Sequence, residues 1–314
     1  MANLLSRSPF PPESPKSLRS GFQRRAVGAA GLAFRKEEAT ALRRRLDAEL
    51  VRRGLAASRE QARLLVREQV VLVAGSPAYK PDRLVGSDEP IVLSAPPPRF
   101  VSRGGEKLES ALDRFGIATA GRRCLDVGAS TGGFTDCLLQ RGACSVTALD
   151  VGHGQLHARL RVDPRVTVVE RMNVRHVSPE VFGGCFDLVV GDLSFISLTK
   201  VAKQIVELAS PGAPLVLLVK PQFEAGRQEA NRARGVIKDP AIWLRTLKEV
   251  AEAFAGAGGV PRRAIVSPLR GGQGNVEFLL QLVRTGQPGA DVADHLALDA
   301  LAEAAVLDVT ERGL

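Results

Sequence analysis

The sequence predicts an α/β fold, a mostly parallel sheet with helices on both faces, preceded by a small α+β domain. Apolar strands alternate with helical stretches from about residue 107 to residue 284, as in parallel sheets that are covered on both faces. Within this region, segment 124–134 passes from a buried strand into a glycine turn and then into a helix. Such a unit lets a ligand approach bare backbone at the helix N-terminus.

The composition limits the class of protein. The 314 residues have a formal net charge of +9, and 45% of them are hydrophobic. This length suits about two domains, and the charge favours a polyanionic partner such as nucleic acid. No apolar run approaches the ~18 residues of a membrane span, and no signal-peptide core stands near the start. We therefore expect a cytoplasmic protein that does not associate with membranes.

The four cysteines predict neither a zinc site nor a disulfide framework, because they lack C-x-x-C spacing. They are typical of small buried apolar residues in a reduced compartment. The four are Cys124, Cys137, Cys144 and Cys185. We expect no metal in this protein.

The first 40 residues are rich in Pro, Ser, Arg and Gly, which predicts a basic disordered arm over 1–40. A transit peptide or a misassigned start codon would give the same composition. Residues 41–96 then predict the small domain. Its first helix is indicated by leucines at helical spacing before Gly54, namely Leu42, Leu46 and Leu50. Ser58, with Gln61 three residues later, predicts a capping box and a second helix that ends near Glu68.

A short sheet and a linker complete this part of the chain. Apolar runs at 70–73 and 91–93 flank a turn at 75–77, which predicts a small sheet. Three prolines at 96–98 predict a stiff spacer that leads from the small domain into a linker over 97–106. Residues 285–314 hold six acids and one arginine and predict an acidic tail with one helix near 295–309.

The second helix of the small domain presents a basic face. Arg59, Arg63 and Arg67 stand four residues apart and therefore share one side of the helix. Clustered arginines of this kind are typical of RNA phosphate binding. A solvated face balanced by neighbouring acids such as Asp47 and Glu49 is the alternative.

Residues 42–95 resemble the α-L RNA-binding motif of the fourth small-subunit ribosomal protein. The runs that carry the resemblance are Arg45-Leu46-Asp47, Gly54-Leu55-Ala56, Ser58-Arg59-Glu60-Gln61-Ala62, Val70-Val71-Leu72-Val73 and Lys80-Pro81. Gln69 replaces the usual Gly of that motif, and Ala74 replaces the usual Asn. The resemblance implies RNA contacts by basic side chains here and at the entry to the next domain, namely Arg45, Arg59, Arg63, Arg67, Lys80 and Arg103.

The spacing of the glycine turn indicates its ligand. Gly128, Gly132 and Gly133 form G-x-x-x-G-G, unlike the G-x-G-x-x-G of dinucleotide sites, and no Lys-Ser/Thr pair follows them as in a P-loop. Asp126 beside the turn suits a ligand with a cationic amino-acid end, such as S-adenosylmethionine. Asp150 ends the next strand about 20 residues on, where an acid accepts from ribose hydroxyls. An ordinary tight βα turn is the alternative.

Two further acids and two lysines follow buried strands or begin helices. Asp192 and Lys220 follow the apolar runs that end at 191 and 219, so both should point toward the glycine turn. Lys107 stands in the first turn of the entering helix. Glu277 begins a late strand and converges with them only if that strand runs antiparallel at the sheet edge. Taken singly, Lys107 or Glu277 suits a structural salt bridge. Together, the four residues suit the orientation of a ribose 2′-hydroxyl and the removal of its proton without a metal.

The chain is identified as a member of the TlyA family, which is often labelled hemolysin A. The matching segments are Ser102–Leu108, Asp126–Phe134, Asn173-Val174-Arg175, Asp192–Ser197, Lys220–Arg227, Lys238-Asp239-Pro240 and Gly274–Phe278. Arg234-Gly235 departs from the usual Gly-Gly of that family. Such proteins join an α-L domain to an FtsJ-type ribose methyltransferase domain, which would span 107–284 as a Rossmann-like sheet.

The resemblance implies 2′-O-methylation of cytidine in 16S or 23S ribosomal RNA, or both, with ribosomal RNA or ribosomal subunits as partner. It implies a catalytic tetrad of Lys107, Asp192, Lys220 and Glu277. S-adenosylmethionine is the implied cofactor, and its expected contacts are Asp126, Gly128, Ser130, Gly132, Gly133, Phe134, Asp150, Asn173 and Asp192. A membrane-active hemolysin and a catalytically silent RNA-binding protein are the alternative functions.

Overall fold

The computed structural model describes residues 43–56, 58–67, 69–94, 98–271, 274–285 and 295–311. The expected arm at 1–40 and the first of the spaced leucines, Leu42, lie outside these residues. Two units follow one another along the described chain. The first ends at residue 94 and the second begins at residue 98.

The small unit packs two helices against short strands. The helices are α1 (Leu46–Arg52) and α2 (Arg59–Arg67). The strands are β1 (Arg44–Arg45), β2 (Val71–Val73), β3 (Ser76–Pro77), β4 (Leu84–Val85) and β5 (Ile91–Leu93). β1 pairs with β4, and the other three form a sheet in the order β3-β2-β5. Leucines and valines of both helices and the sheet form one core, which includes Leu46, Leu50, Leu65 and Val71.

The first helix begins later than the leucine spacing predicts. Arg44 and Arg45 are extended and pair with Leu84 and Val85, so α1 starts at Leu46 rather than near residue 42. The backbone N–H of Leu46 donates to the Arg83 carbonyl at 2.8 Å. Arg44 and Arg45 thus form a strand, although the spacing of the leucines alone would place them in the helix. The second helix agrees with its prediction, since the Gln61 N–H donates to Ser58 Oγ at 3.2 Å.

Three departures from the resembled motifs fall at left-handed backbone positions. Gln69 has φ 58°, Ala74 has φ 51° and Arg234 has φ 50°. Gly and Asn tolerate this region, whereas other residues there cost about 1–2 kcal/mol. The backbone turns expected at these positions are therefore present, although strained side-chain-bearing residues form them.

The large unit is built on a seven-stranded sheet. Its strands are β6 (Arg123–Val127), β7 (Ser145–Leu149), β8 (Val166–Val169), β9 (Leu188–Gly191), β10 (Pro214–Val219), β11 (Gly259–Val266) and β12 (Phe278–Arg284). Their order is β11-β12-β10-β9-β6-β7-β8. The pairs from β10 to β8 are parallel, whereas β12 is antiparallel to both of its neighbours.

Helices cover both faces of this sheet. They are α3 (Gly104–Phe115), α4 (Gly133–Gln140), α5 (Ala158–Arg161), α6 (Ala202–Leu208), α7 (Pro221–Glu224), α8 (Gly226–Arg232), α9 (Pro240–Gly256) and α10 (His295–Glu311). Alternate strand residues face opposite layers: Leu125 and Val189 pack in one core cluster, and Cys124 and Leu188 in the other. This period of two on a sheet covered twice explains the nearly continuous apolar strands. The predicted fold class is confirmed.

Two predicted element positions are corrected in part. The strand after Glu277 is antiparallel, as its convergence requires, but it lies between β10 and β11, so β11 and not β12 forms the edge. α3 begins at Gly104, so the last residues of the expected linker are helical. The helix predicted near 295–309 is α10, and its Ala302, Ala305 and Val309 pack into the core cluster that contains α9.

Candidate functional site

A polar cavity of about 280 Å³ opens at the carboxyl ends of β6, β9 and β10. Its lining comes from the start of α3, the glycine turn, and the segments that follow β9, β10 and β11. Parallel strands place their carboxyl ends at one edge of a sheet, where ligands of open α/β folds bind. The predicted site residues that line it are Arg103, Lys107, Asp126, Gly128, Ser130, Gly133, Phe134, Asp192 and Lys220.

The glycine turn brings backbone segments close together. A Cβ at Gly128 would lie 2.9 Å from the Asp192 carbonyl oxygen. A Cβ at Gly133 would collide with Ser102 Oγ and lie 3.0 Å from the Gly105 nitrogen. These glycines therefore permit the starts of α3 and α4 to meet at the cavity, where unpaired helix N–H groups attract electron-rich ligand atoms.

Gly132 has a different environment. Its φ is 95°, and a Cβ there would overlap Leu160 Cδ1 and lie 2.8 Å from Leu156 Cδ1. It is not among the residues that line the cavity. A side chain at Gly132 would therefore disturb the packing of α5 against the turn.

Asp126 is fully buried beneath the turn. Thr135 Oγ1 donates to its Oδ2 at 2.7 Å, whereas its Oδ1 has no hydrogen-bond partner among the described residues. Burial raises the pKa of Asp126 to about 7, and the carboxylates of Asp192 and Asp150 add to the increase. A buried acceptor without a donor is costly, so this oxygen is suited to a cationic ligand group.

Asp150 follows β7 and orders two loops. Its Oδ2 accepts from the Ser130 N–H at 2.7 Å, and its Oδ1 accepts from the Gly152 N–H at 2.6 Å. Each carboxylate oxygen has a second lone pair, so ribose hydroxyls are still accommodated. Asn173 instead caps a short 3-10 helix, where its Oδ1 accepts from the Arg175 N–H at 3.0 Å, and it does not line the cavity.

Lys220 stands between an acid and a hydroxyl. Its Nζ lies 2.5 Å from Asp192 Oδ1 and donates to Ser194 Oγ at 2.8 Å. Lys220 is only 8% exposed, since it follows the buried strand β10. Ser194 was not among the predicted site residues, and its position in the sequence next to Asp192 is the signal that would have identified it.

Lys107 forms the second buried pair. Its Nζ donates to Glu277 Oε2 at 2.5 Å, and Glu277 is 3% exposed. Glu277 does not line the cavity, because Gly271 covers it: a Cβ at Gly271 would overlap Glu277 Oε1. Glu277 thus contacts Lys107 on the side that faces away from the cavity. Gly271 and the neighbouring Arg270 both line the cavity, and sequence analysis missed both.

An exposed aromatic ring lies beside the site. Phe195, next to Ser194, is 92% exposed, and its ring centroid is 5.4 Å from that of Phe223. Glu224 secures this segment, because Ser197 Oγ donates to its Oε2 at 2.6 Å and the Leu198 N–H donates to its Oε1 at 3.0 Å. Burial raises the pKa of Glu224. The segment thus presents an aromatic face next to Lys220.

The predicted RNA-contacting arginines of the small unit converge on one buried acid. Arg45 and Arg59 lie 3.1 Å from Asp47 Oδ2, and Arg63 Nε lies 3.3 Å from it. Asp47 is fully buried, whereas the three arginine side chains are 45–52% exposed. One negative charge therefore holds three cations at the surface. Arg67 and Lys80 are exposed on the same unit, and Arg103 is exposed on the large one.

The described part of the chain has features of neither a membrane-spanning protein nor a metal centre. None of the described helices is both long and apolar enough for a membrane crossing. No cluster of three or more His, Cys, Asp or Glu side chains suited to a metal occurs within the ranges given above.

The fold defines the class, that of methyltransferases built on the S-adenosylmethionine-dependent fold. The model of the FtsJ-like methyltransferase family matches residues 100–284, and the model of the S4 domain, named for the ribosomal protein resembled above, matches residues 44–91.

Relatives extend this similarity over most of the chain. The 16S/23S rRNA (cytidine-2′-O)-methyltransferase TlyA of Mycobacterium tuberculosis is 51% identical over 243 residues, which are 77% of this chain and 90% of that protein. Hemolysin A of Brachyspira hyodysenteriae is 38% identical over 76% of this chain and 99% of its own length. A solved structure from Streptococcus thermophilus, whose description names a hemolysin, is 35% identical with a TM-score of 0.65 and covers 86% of this chain and 98% of that one. This chain belongs to the TlyA family, in which an S4 domain precedes an FtsJ-like methyltransferase domain.

Proposed function

We propose that this enzyme transfers a methyl group from S-adenosylmethionine to the 2′-hydroxyl of a cytidine in 16S or 23S ribosomal RNA, or both. The observation that carries the proposal is the pair of lysine–carboxylate contacts beside the glycine turn, Lys107 with Glu277 and Lys220 with Asp192. The TlyA relative named above acts on the same position of cytidine in both RNAs. We place this activity in the cytoplasm, where ribosomal RNA is available.

The residues around the glycine turn fit the cofactor. Asp126 Oδ1, buried without a donor, would accept from the ammonium group of the methionine end. Asp150 would accept from the ribose hydroxyls, and Gly128, Ser130, Gly133 and Phe134 would border the cofactor. Asp192, between Lys220 and the turn, would face the reacting end. When bound, the cofactor supplies a methyl group on a sulfonium, which a correctly placed oxygen attacks.

Lys220 is the proposed group that orients the 2′-hydroxyl and relays its proton: as the hydroxyl proton passes to Nζ, the Lys220 ammonium gives up one of its own protons to the Asp192 carboxylate, 2.5 Å away. A ribose hydroxyl is a weak nucleophile, so it gains from a fixed position and from an adjacent base. Asp192 and Ser194 hold the Lys220 ammonium from two sides, which leaves little freedom to its Nζ. Lys107, held by Glu277, would fix the other side of the ribose.

The remaining features suit an RNA substrate. The arginines around Asp47 and the neighbouring Arg67 and Lys80 present positive charge on the S4 domain, which attracts phosphates without regard to sequence. Arg103 extends this charge to the cavity. The exposed ring of Phe195 suits stacking with an unpaired base, as in recognition of single-stranded RNA.

The test is transfer of tritiated methyl groups to naked 16S and 23S rRNA, to separate subunits and to whole ribosomes, followed by mapping of the modified nucleotide. Lys220→Ala should lower the rate by about 10²–10⁴ and leave S-adenosylmethionine affinity, measured by calorimetry, nearly unchanged. Lys203→Ala is the matched control, because Lys203 is a surface lysine with 74% of its side chain exposed. A normal rate in Lys220→Ala would refute the assigned role, and no transfer by the wild-type protein would refute the activity.

A further inference from the structure

A second and larger cavity lies between the S4 domain and the methyltransferase domain. This interdomain groove has a volume of about 740 Å³. One wall is the α2 surface, the floor is the segment 98–103, and the other wall is the stretch 155–159 at the start of α5. It is distinct from the catalytic cavity, although the two share a border.

The described residues that line the interdomain groove include cations but no acid. Four arginines and one histidine contribute, namely Arg63, Arg67, Arg103, Arg159 and His157. The remaining polar members are hydroxyls and amides such as Thr131 and Gln155. Arginine guanidinium groups without compensating carboxylates at the same surface produce a positive potential that concentrates anions.

Buried acids outside the groove hold two of these arginines in place. Arg159 lies 2.8 Å from Asp136 Oδ2, and its side chain is 58% exposed while that of Asp136 is 5% exposed. The same Oδ2 accepts from the Val101 N–H at 2.9 Å, so Asp136 also fixes the floor of the groove. Arg63 is held by Asp47 in the equivalent way and is 48% exposed. Both guanidinium groups are thus oriented, yet half accessible.

His157 is oriented as well. Its Nδ1 accepts from the Arg159 N–H at 3.1 Å, so a neutral ring has its proton on Nε2, where it is available for donation. Arg67 makes no ion pair to another described residue. The groove therefore offers several donors without a partner acid on its own surface.

The groove is continuous with the catalytic cavity. Ser102, Arg103 and Thr131 line both. A polymer whose ribose enters the catalytic cavity would pass over Arg103 into the groove and reach Arg159 on one wall and Arg67 on the other. We propose that the interdomain groove binds the sugar–phosphate backbone of the same RNA strand that presents the target ribose; this inference rests on the proposed function.

Charge and surface chemistry favour RNA over a protein partner. Protein interfaces depend on exposed apolar and aromatic anchors at their centre. None of the described large exposed hydrophobic side chains lies in the groove, and its aromatic member, Phe100, is only 3% exposed. Phosphates, by contrast, need the oriented guanidinium and hydroxyl donors that the groove supplies.

The experiment measures binding of the full-length protein to naked 16S and 23S rRNA and to isolated ribosomal subunits, each at several salt concentrations. The variants are Arg67→Ala, Arg159→Gln and the double variant. The matched control is Arg161→Gln, because Arg161 stands on the same helix α5 but pairs with Glu170 and does not line the groove. Arg67→Ala breaks no described ion pair, so it tests the surface without a folding defect.

Each variant should reduce the slope of log K against log salt concentration by about 0.7, and the double variant by about 1.4, as expected for lost phosphate contacts on a single strand. S-adenosylmethionine affinity of the groove variants should match that of the wild type, and all measured properties of the Arg161→Gln control should match it as well. An unchanged slope in the double variant would overturn the inference. So would a loss confined to ribosomal subunits and absent for naked RNA, because it would assign the groove to a ribosomal protein. Absence of methyl transfer by the wild-type protein would refute the proposed function instead. The slopes of log K against log salt concentration would still test RNA binding by the groove.

Discussion

Two aspartates, Asp47 in the S4 domain and Asp126 in the methyltransferase domain, are both fully buried, yet their environments are opposite. Asp47 accepts from three arginines, and these bonds lower its pKa to about 2 against the effect of burial. Asp126 accepts from one hydroxyl, and burial raises its pKa to about 7. A buried acid with its cations present displays positive charge at the surface. A buried acid without one provides a place for a cation that the chain itself does not supply.

The contrast indicates that the two domains are suited to different partners. Around Asp47 the cations outnumber the acid and remain half exposed, so the excess charge is available to phosphates. Around the catalytic cavity each lysine has its own carboxylate within 2.5 Å, so those charges are balanced and fixed in position. The first arrangement suits a large polyanion, and the second suits accurate orientation of one hydroxyl.

The largest of the effects expected from this contrast concerns Asp126, whose Oδ1 has no hydrogen-bond partner among the described residues. Asp126→Asn removes the negative charge that would face the cofactor ammonium, and a lost hydrogen bond to a charged group costs about 1.5–3 kcal/mol. S-adenosylmethionine affinity measured by calorimetry should therefore fall about 10- to 100-fold. At pH 8 the stability of the free protein to urea should rise, because a buried carboxylate has been removed. Thr135→Val serves as the comparison, because it removes the hydroxyl that donates to Asp126 but keeps the carboxyl group. Equal S-adenosylmethionine affinities of Asp126→Asn and the wild type would refute the contact between Asp126 and the cofactor.

Replacement of Asp47 should lower the stability of the protein, whereas replacement of Asp126 should raise it. Asp47→Asn leaves Arg45, Arg59 and Arg63 close together without their common acceptor. We expect a loss of about 1–3 kcal/mol from the stability of the S4 domain, since these bonds involve charged groups. Urea unfolding monitored by amide hydrogen exchange in residues 43–94 measures it. A stability equal to that of the wild type would mean that the arginines do not depend on Asp47.

The pH dependence of stability separates the two acids further. The folded pKa of Asp47 is lowered from 3.8 to about 2, so its contribution is complete above pH 3.8 and is lost as the pH falls toward 2. The folded pKa of Asp126 is raised from 3.8 to about 7, so the folded state retains a proton that the unfolded state releases. Its contribution therefore declines as the pH rises from 3.8 through 7. Unfolding of wild type and Asp126→Asn at several pH values checks this, and parallel curves between pH 4 and pH 7 would contradict it.

The smallest expected effect concerns the strained turn of the S4 domain. Ala74 has φ 51°, and the resembled motif has Asn at this position, which tolerates left-handed backbone better. Ala74→Asn should raise the stability of the domain by several tenths of a kcal/mol, up to about 1 kcal/mol. The shift of the urea midpoint relative to wild type measures it. Ala78→Asn is unsuitable as a control because Ala78 is buried, so Ser76→Asn in the exposed strand β3 serves instead, and an equal shift in both variants would exclude relief of strain.

Local sequence patterns predicted what depends on local physics. The glycine turn, the buried strands and the acids that follow them are encoded within a few residues, and the helix cap at Ser58 is present as expected. The start of α1 was misplaced because Arg44 and Arg45 pair with a strand about 40 residues later. Periodicity within one segment does not contain that competition.

The candidate site was likewise predictable where it depends on local patterns and strand order, and not where it depends on contacts between distant segments. Asp192 and Lys220 meet because their strands are parallel neighbours, which a sheet rule anticipates. Gly132 faces Leu156 and Leu160 rather than the cavity, since spacing alone does not state which side of a turn a residue occupies. Asp136 holds Val101, 35 residues earlier in the chain, and Gly271 covers Glu277, whose partner Lys107 lies 170 residues away. No local motif marks either position. Three-dimensional packing is needed to find such positions.

The most direct test of the contrast between the two acids is a carboxyl-carbon NMR titration of the protein labelled at aspartate, with Asp126 assigned by the Asp126→Asn variant. We expect a titration midpoint near 7 for Asp126 in the free protein. We expect a midpoint lower by about 1–3 units with S-adenosylmethionine bound, because an adjacent cation favours the carboxylate. Asp47 should stay ionised across the same range with and without the cofactor. A midpoint of Asp126 that is the same in both states would contradict the claim that its missing partner is the cofactor.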